Sequence, residues 1–194
     1  PVCAAESPFE LAGAPAARNA VDEVLFPRLK TLGIEPARLS SDAVFLRRAY
    51  LDVIGTLPSA REAREFVLDR DPAKRHLLID QLLQREEFAD YWALKWGDLL
   101  RIKSEFPINL WPNAVQGYHR WVRARLKENY PYDRFVRELL TSSGSNFRVP
   151  PVNFYRALQS REPAAIAQTV ALTFMGARTE KWPKERLDGM ALFF

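Results

Sequence analysis

The spacing of apolar residues along the chain is helical from Asn19 onward. Apolar side chains recur every three or four residues, which is the period of one helix face. The clearest stripe follows the spacing i, i+3, i+4, i+7, i+8 and consists of Tyr132, Phe135, Val136, Leu139 and Leu140. No segment alternates between apolar and polar residues over the length of a β-strand. The pattern therefore predicts an all-α fold.

Capping residues and helix breakers divide this pattern into about nine helices with short connections. Gly33 and Gly55 follow apolar periods and predict left-handed helix ends. Ser59 and Glu62 have the spacing of a capping box, which predicts a helix start. The predicted helices cover residues 21–32, 42–54, 59–68, 72–83, 86–102, 113–129, 132–140, 163–175 and 183–194.

Two segments lack this periodicity. Residues 1–18, rich in alanine and proline, predict an irregular N-terminal arm. Residues 141–153, rich in serine, glycine and proline, predict the main turn-rich break. We expect residues 19–194 to form a single all-helical domain, excised from a longer protein.

The helix predicted over 86–102 is unusually rich in aromatic residues. Trp92 and Trp96 lie four residues apart and share one helix face. We expect both to be buried, against the helices that carry Tyr50 and Phe135. Sugar stacking by these tryptophans is the alternative interpretation, and core packing is favoured over it.

The composition narrows the class of protein. The chain has 194 residues, of which 47% are hydrophobic and 27% charged, as is typical of a globular domain. Charged residues interrupt every apolar run before it could span a bilayer, so no transmembrane segment is expected. Cys3, His76 and His119 are too few to form an intrachain disulfide or a structural zinc site. Neither a metal nor a cofactor is therefore expected.

The net charge of +4 raises the question of nucleic-acid binding. Residues 118–137 are basic, and a basic helix interleaved with aromatic residues could follow a phosphate backbone. Acidic residues interrupt the patch, which favours the solvated faces of amphipathic helices. Nucleic acid is therefore not an expected partner. The basic residues concerned are Arg120, Arg123, Arg125, Lys127, Arg134 and Arg137.

The sequence assigns no catalytic residue. Three carboxylates are candidates for general acid and base chemistry, namely Asp52, Asp98 and Asp133. Arg48 lies four residues before Asp52 and Arg101 lies three after Asp98, so structural ion pairs are favoured. His119 has no serine or cysteine placed by the sequence to act as its nucleophile.

Four blocks of sequence carry a family resemblance: LRRAYLDVIGTLP at 46–58, YWALKWGDLLR at 91–101, PYDRFVR at 131–137 and MALFF at 190–194. In this order they resemble the all-helical second PSCyt domain of planctomycete-type secreted, cytochrome-associated proteins. That domain is a domain of unknown function. The positions singled out as family-motif or structural residues are Arg47, Arg48, Asp52, Gly55, Pro58, Trp92, Trp96, Asp98, Arg101, Pro131, Tyr132, Asp133, Phe135, Trp182, Phe193 and Phe194.

The resemblance implies a large exported protein, and therefore an extracytoplasmic location, either periplasmic or secreted. In such proteins this domain lies between an optional haem-carrying domain and a further C-terminal domain. Many members carry a Cys-x-x-Cys-His segment, the pattern that attaches c-type haem, ahead of the closing aromatic block. The corresponding residues 176–183 of this chain include neither cysteine nor histidine.

Three functions stay open at this point. The favoured one is a non-catalytic structural or docking module of an exported, cell-envelope-associated protein, with neighbouring domains or envelope proteins as its partners. The alternative is an accessory part of an enzyme, for example one acting on polysaccharide, completed by a C-terminal domain. A haem or electron-transfer module is disfavoured because the attachment cysteines are missing. The sequence predicts no oligomeric state.

We predict that the purified chain carries no haem, even when it is produced in a host with an active cytochrome c maturation system. Covalent attachment requires two thiols and an adjacent histidine, whereas this chain has a single cysteine, Cys3. An absorption spectrum tests the prediction. Aromatic absorbance alone is the expected result, and a Soret band at stoichiometric intensity would contradict it.

Overall fold

The computed structural model describes residues 8–13, 15–105 and 110–194. Over these residues the predicted all-α fold is confirmed: helices dominate and no strand is present. Two 3-10 turns, Pro150–Val152 and Thr179–Lys181, accompany the helices. The helices are α1 (Ala20–Thr31), α2 (Asp42–Ile54), α3 (Ala60–Leu68), α4 (Lys74–Leu83), α5 (Glu86–Leu99), α6 (Pro112–Lys127), α7 (Tyr132–Thr141), α8 (Asn153–Arg156), α9 (Pro163–Met175) and α10 (Lys184–Ala191).

The helix ends predicted from capping residues are confirmed. Ser59 accepts a hydrogen bond from the Glu62 amide, and Glu62 accepts one in return from the Ser59 amide, which completes the capping box before α3. Gly33 and Gly55 adopt left-handed conformations, with φ of 69° and 71°. A residue with a side chain would be strained there, so these glycines end α1 and α2.

Helix α8 is not among the nine predicted helices. It begins at the end of the predicted turn-rich break, directly after the 3-10 turn at Pro150–Val152. Asn153, which is 0% exposed, donates hydrogen bonds from its side-chain amide to the carbonyls of Asn146 and Pro150, at 3.0 and 2.9 Å. Four residues are too few to show a helical period, so the sequence pattern could not reveal this element.

Part of the N-terminal arm pairs with the chain just before α2. The Leu11 amide donates to the Leu39 carbonyl at 2.7 Å, and the Ser41 amide donates to the Phe9 carbonyl at 2.9 Å. These two bonds form an isolated antiparallel bridge between Glu10 and Ser40. The described part of the arm is therefore attached to the segment that connects α1 with α2.

The chain divides into two compact units, one extending to Leu83 and the other from Gln84 to Phe194. In the first unit, α2 packs against both α3 and α4. Helix α2 contributes four of the seven buried side chains of these helices because its apolar residues recur on one face. The buried side chains of these three helices are Leu46, Ala49, Tyr50, Ile54, Phe66, Leu78 and Leu82.

Helix α1 differs from the other long helices because none of its residues is buried. The predicted apolar stripe is present, but its members Val21, Val24 and Leu25 are 70%, 75% and 42% exposed. Leu29, which belongs to the same stripe, is half-buried, as is Phe26 beside it. Most of the stripe therefore faces solvent in the described part of the chain.

The core of the second unit centres on Phe135. Its ring stacks on Trp121 with ring centres 5.1 Å apart and meets the edge of Trp96 at 5.3 Å. These three aromatic residues come from α7, α6 and α5, so one contact joins three helices. The fully or nearly fully buried residues around them are Ala93, Leu100, Tyr118, Val122, Leu139, Phe154, Ile166 and Val170.

The prediction that Trp92 and Trp96 are both buried holds only in part for Trp96 and is wrong for Trp92. Trp96 is half-buried and packs on Phe135 as expected. Trp92 is 36% exposed, and its ring lies against Tyr91 with centres 5.8 Å apart. Helix α5 instead buries its small residues Ala89 and Ala93. Small side chains let a neighbouring helix approach closely, and α6 packs against α5 in this unit.

Two helices of the second unit end on left-handed residues that are not glycine. Arg101 follows α5 with φ of 56°, and Asn129 follows α6 with φ of 47°. A pair of backbone hydrogen bonds closes the helix at each of these residues. One of them runs from the Ile102 amide to the Gly97 carbonyl, at 2.8 Å. Asparagine tolerates this conformation, whereas arginine is strained in it. The sequence offered no glycine to mark either end.

A charged cluster joins three elements of the first unit. Asp42, at the start of α2, accepts hydrogen bonds from Arg75 at 2.8 and 3.0 Å and pairs with Lys74 at 2.6 Å. Lys74 also donates to the carbonyls of Phe66 and Asp69, at the end of α3. Burial alone would raise the pKa of the Asp42 carboxyl, but the hydrogen bonds and charges of Lys74 and Arg75 hold it below its ordinary value.

We predict that Trp96→Ala lowers the free energy of unfolding by about 3 kcal/mol, because it removes one of the two aromatic contacts that fix Phe135. Urea titration followed by circular dichroism measures the loss. Trp111→Ala is the matched control, because Trp111 is 68% exposed and its replacement should cost no more than about 0.5 kcal/mol. Equal stabilities of the two variants would place Trp96 outside the core.

We predict that Asp42→Asn costs about 1 to 2 kcal/mol at pH 7, because it leaves two half-buried cations without their carboxylate. The pKa of Asp42 is lowered in the folded state. Its contribution is therefore fully present above the unfolded value of about 3.9 and is lost as the pH falls through the folded value. The difference in unfolding free energy between wild type and variant should shrink below about pH 4.

The control for this pH dependence is Asp80→Asn, because Asp80 is an exposed carboxylate on the same helix as Lys74 and Arg75. We expect its effect to stay within about 0.5 kcal/mol at all pH values. A constant difference between wild type and Asp42→Asn from pH 7 down to pH 2.5 would show that the charge of Asp42 does not stabilise the fold.

Candidate functional site

A groove between α2 and α4 brings motif residues to the surface of the first unit. Its volume is about 330 Å³, which is within the range of small-ligand or side-chain pockets. Arg48 and Asp52 lie one helical turn apart on its rim, together with Ser40. The apolar lining comes from Phe45, Ala49, Val53 and Ile79.

The charged cluster at Asp42 positions one wall of this groove. The Arg75 guanidinium lies over the Phe45 ring, 4.7 Å from its centre, while it also bonds to Asp42. The Phe45 ring also stacks on the ring of Phe66, with ring centres 6.1 Å apart. The Phe45 side chain is therefore held by contacts to α3 and α4, which keeps the wall in place. Sequence reasoning missed Arg75, because no spacing rule relates it to Phe45, which lies thirty residues away.

The charged residues of the first motif block are accessible. Arg47, Arg48 and Asp52 are all exposed. The ion pairs in the described residues of this unit involve Arg61, Lys74 and Arg75, so the pair expected between Arg48 and Asp52 is not formed. Gly55 ends α2, and Pro58 is half-buried just before the capping box of α3.

The pair expected between Asp98 and Arg101 is also not formed among the ion pairs of the described second unit. Asp98 is exposed on the last turn of α5, and its carbonyl accepts a backbone hydrogen bond from Arg101 at 3.2 Å. The left-handed backbone at Arg101 changes the direction of the chain there. Helical spacing therefore no longer governs the distance between the two side chains.

The third block positions α7. Pro131 precedes the helix, and Asp133 is exposed in its first turn. A carboxylate at this position interacts favourably with the helix dipole. The Tyr132 hydroxyl donates to the Phe174 carbonyl near the end of α9, at 2.7 Å. Burial raises the pKa of the Tyr132 hydroxyl, so this donor stays protonated at neutral pH. This block is thus engaged in packing α7 and α9.

The closing block divides between the core and the surface. Arg186 lies over the Trp182 ring, 4.5 Å from its centre, which ties the turn before α10 to that helix. Phe194 packs against the core of the second unit, whereas Phe193 is 84% exposed. Of these two aromatic residues, only Phe194 therefore packs on the described core. In the stretch where relatives are expected to carry haem cysteines, Thr179 is buried in a 3-10 turn.

Carboxylates neutralise most of the basic residues of α6. Glu86 pairs with both Arg123 and Lys127, and Asp90 pairs with Arg123. The hydrogen bonds from these cations lower the pKa of both carboxyls. Arg125 pairs with Glu128 and Glu138. Arg120, Arg134 and Arg137 of the same basic patch take part in no ion pair of the described residues, so the expectation that nucleic acid is not a partner stays a prediction.

Two further features bear on the possible chemistry. Within the described ranges, no group of three or more histidine, cysteine and acidic side chains is arranged to hold a metal ion. In the same residues, no helix has the length and apolar character needed to cross a bilayer.

In the groove between α2 and α4, Arg48 and Asp52 can each form hydrogen bonds and ion pairs with a bound group, and the apolar lining can receive a hydrophobic side chain.

Comparisons with known proteins identify one family. Residues 20–184 match the sequence profile of PSCyt2, described as a protein of unknown function (DUF1549). No curated protein and no solved structure matches the chain significantly. The match spans α1 to α9 and the first residue of α10, including the α2–α4 groove and the Phe135 core. This chain therefore belongs to the PSCyt2 family of proteins of unknown function.

Proposed function

We propose that the chain is a non-catalytic docking module of an exported, cell-envelope-associated protein. The observation that carries the proposal is the solvent-facing apolar stripe of α1. Val21, Val24, Leu25 and Leu32 are between 42% and 75% exposed and recur on one helix face. A contiguous apolar surface of this kind is typical of a protein interaction site.

A second exposed apolar surface supports the same function. Leu192 and Phe193 are 88% and 84% exposed at the end of α10. Leaving such side chains in water is unfavourable, by about 25 cal/mol for each Å² that a partner would cover. The extracytoplasmic location follows from the resemblance to secreted proteins and is part of the proposal. The partners we infer are neighbouring domains of the same polypeptide or other envelope proteins.

Photo-crosslinking in the native envelope tests the docking function. Benzoylphenylalanine replaces Val24 in the natural full-length protein, and cells are irradiated before the envelope is fractionated. We expect a discrete adduct, either as a band of higher mass or as an internal link between two peptides. The first product indicates another protein and the second a neighbouring domain, and mass spectrometry separates the two.

The control is the same probe at Arg64, an exposed position of α3 outside the stripe. We expect no discrete adduct from this position. Equal adducts from both positions would indicate random collisions, and no adduct from Val24 would contradict a docking role for α1. Recovery of the protein in the cytoplasmic fraction would contradict the proposed location.

A further inference from the structure

Arg120 stands apart from the other basic residues of α6. Arg123, Arg125 and Lys127 all pair with carboxylates, from Glu86, Asp90, Glu128 and Glu138. No ion pair of the described chain includes Arg120, which is exposed. Its guanidinium is therefore available to an anion from solution, whereas the charges of its neighbours are already neutralised.

Arg120 lines an open pocket on the second unit with a volume of about 390 Å³. Gln116 and His119 share this lining, and the spacing of the three residues places them on one face of α6. Ile102, which follows α5, and Val115 complete the lining with apolar surface. The pocket thus combines three polar side chains from one helix with two hydrophobic side chains.

The Asp90 carboxylate, on the neighbouring helix α5, is already engaged by another arginine. The hydrogen bond from Arg123 is the main cause of the lowered pKa of Asp90. Asp90 is held by Arg123 through a direct hydrogen bond. No ion pair of the described residues joins Asp90 or Glu86 to Arg120, so the Arg120 guanidinium at this pocket has no carboxylate partner from α5.

The residue types indicate the class of ligand. A guanidinium binds a carboxylate through two parallel hydrogen bonds, and an imidazole N–H and a glutamine amide can donate further ones. Ile102 and Val115 favour an apolar body over a bare inorganic anion. A pocket of this volume accommodates a small organic molecule.

We propose that this pocket binds a small organic acid, with its carboxylate on Arg120 and its aliphatic chain on Ile102 and Val115. His119 and Gln116 position the carboxylate. The site is separate from the stripe of α1 and does not depend on the docking function, so either can fail without the other.

Hexanoate is the probe, titrated into the ¹⁵N-labelled chain at pH 7 while amide signals are recorded by NMR. We expect saturable shifts for residues of the pocket, among them Val115 and His119, with a dissociation constant of about 1 mM, as is typical of a ligand this small. Hexanamide has the same chain without the charge and should bind about tenfold more weakly. Inorganic phosphate, which has charge but no chain, should also bind more weakly.

Arg120→Gln should weaken hexanoate binding about tenfold and leave the remaining spectrum unchanged. Arg64→Gln, at an exposed arginine of α3, is the matched control and should leave the affinity unchanged. Equal binding of hexanoate and hexanamide, or unchanged binding by the Arg120 variant, would overturn the role of the guanidinium. Phosphate binding as tight as hexanoate binding, or no saturable shift at the pocket, would overturn the assignment of the ligand class.

Discussion

The contact of Phe135 with Trp96 and Trp121 is the interaction on which the second unit depends. It joins α5, α6 and α7, and it also orients polar groups outside the core. The Trp121 indole N–H donates to Glu138 at 3.3 Å, and Arg125 lies 5.7 Å from the ring centre of the same tryptophan. Because one side chain serves both the core and the surface, the geometry of the outer charged residues follows from the packing beneath them.

Local signals in the sequence were sufficient for the all-α fold. Nine of the helices have a stripe, a cap or a breaker that a single chain segment reveals, such as the capping box at Ser59 and the stripe that begins at Tyr132. Burial was harder to predict, because it depends on which face a neighbour covers. Trp92 and Trp96 lie on the same predicted helix face and have similar neighbours in the sequence. In the structure, however, only the ring of Trp96 contacts Phe135.

The candidate sites depended even more on three-dimensional packing. Arg48 and Asp52 could be singled out because they lie in a motif block, but Phe45, Arg75 and Ile79 carry no local signal. The sequence likewise gives no reason to distinguish one basic residue of α6 from another. Its cations differ only because Glu86 and Asp90, which neutralise some of them, lie on the neighbouring helix α5. Long-range electrostatic pairing of this kind cannot be derived from one segment.

The exposed helix α1 has a consequence for how binding would proceed. An isolated helix of twelve residues is marginally stable in water, and Pro27 removes one of its backbone hydrogen bonds. Without a fully buried side chain, α1 relies on its Asn19 cap and on the half-buried Phe26 and Leu29, so it should unfold on its own far more often than the core does. A partner that covers the stripe would first have to fix this fluctuating segment, and part of the binding free energy would be consumed in ordering it. Association of this type combines specificity with rapid release.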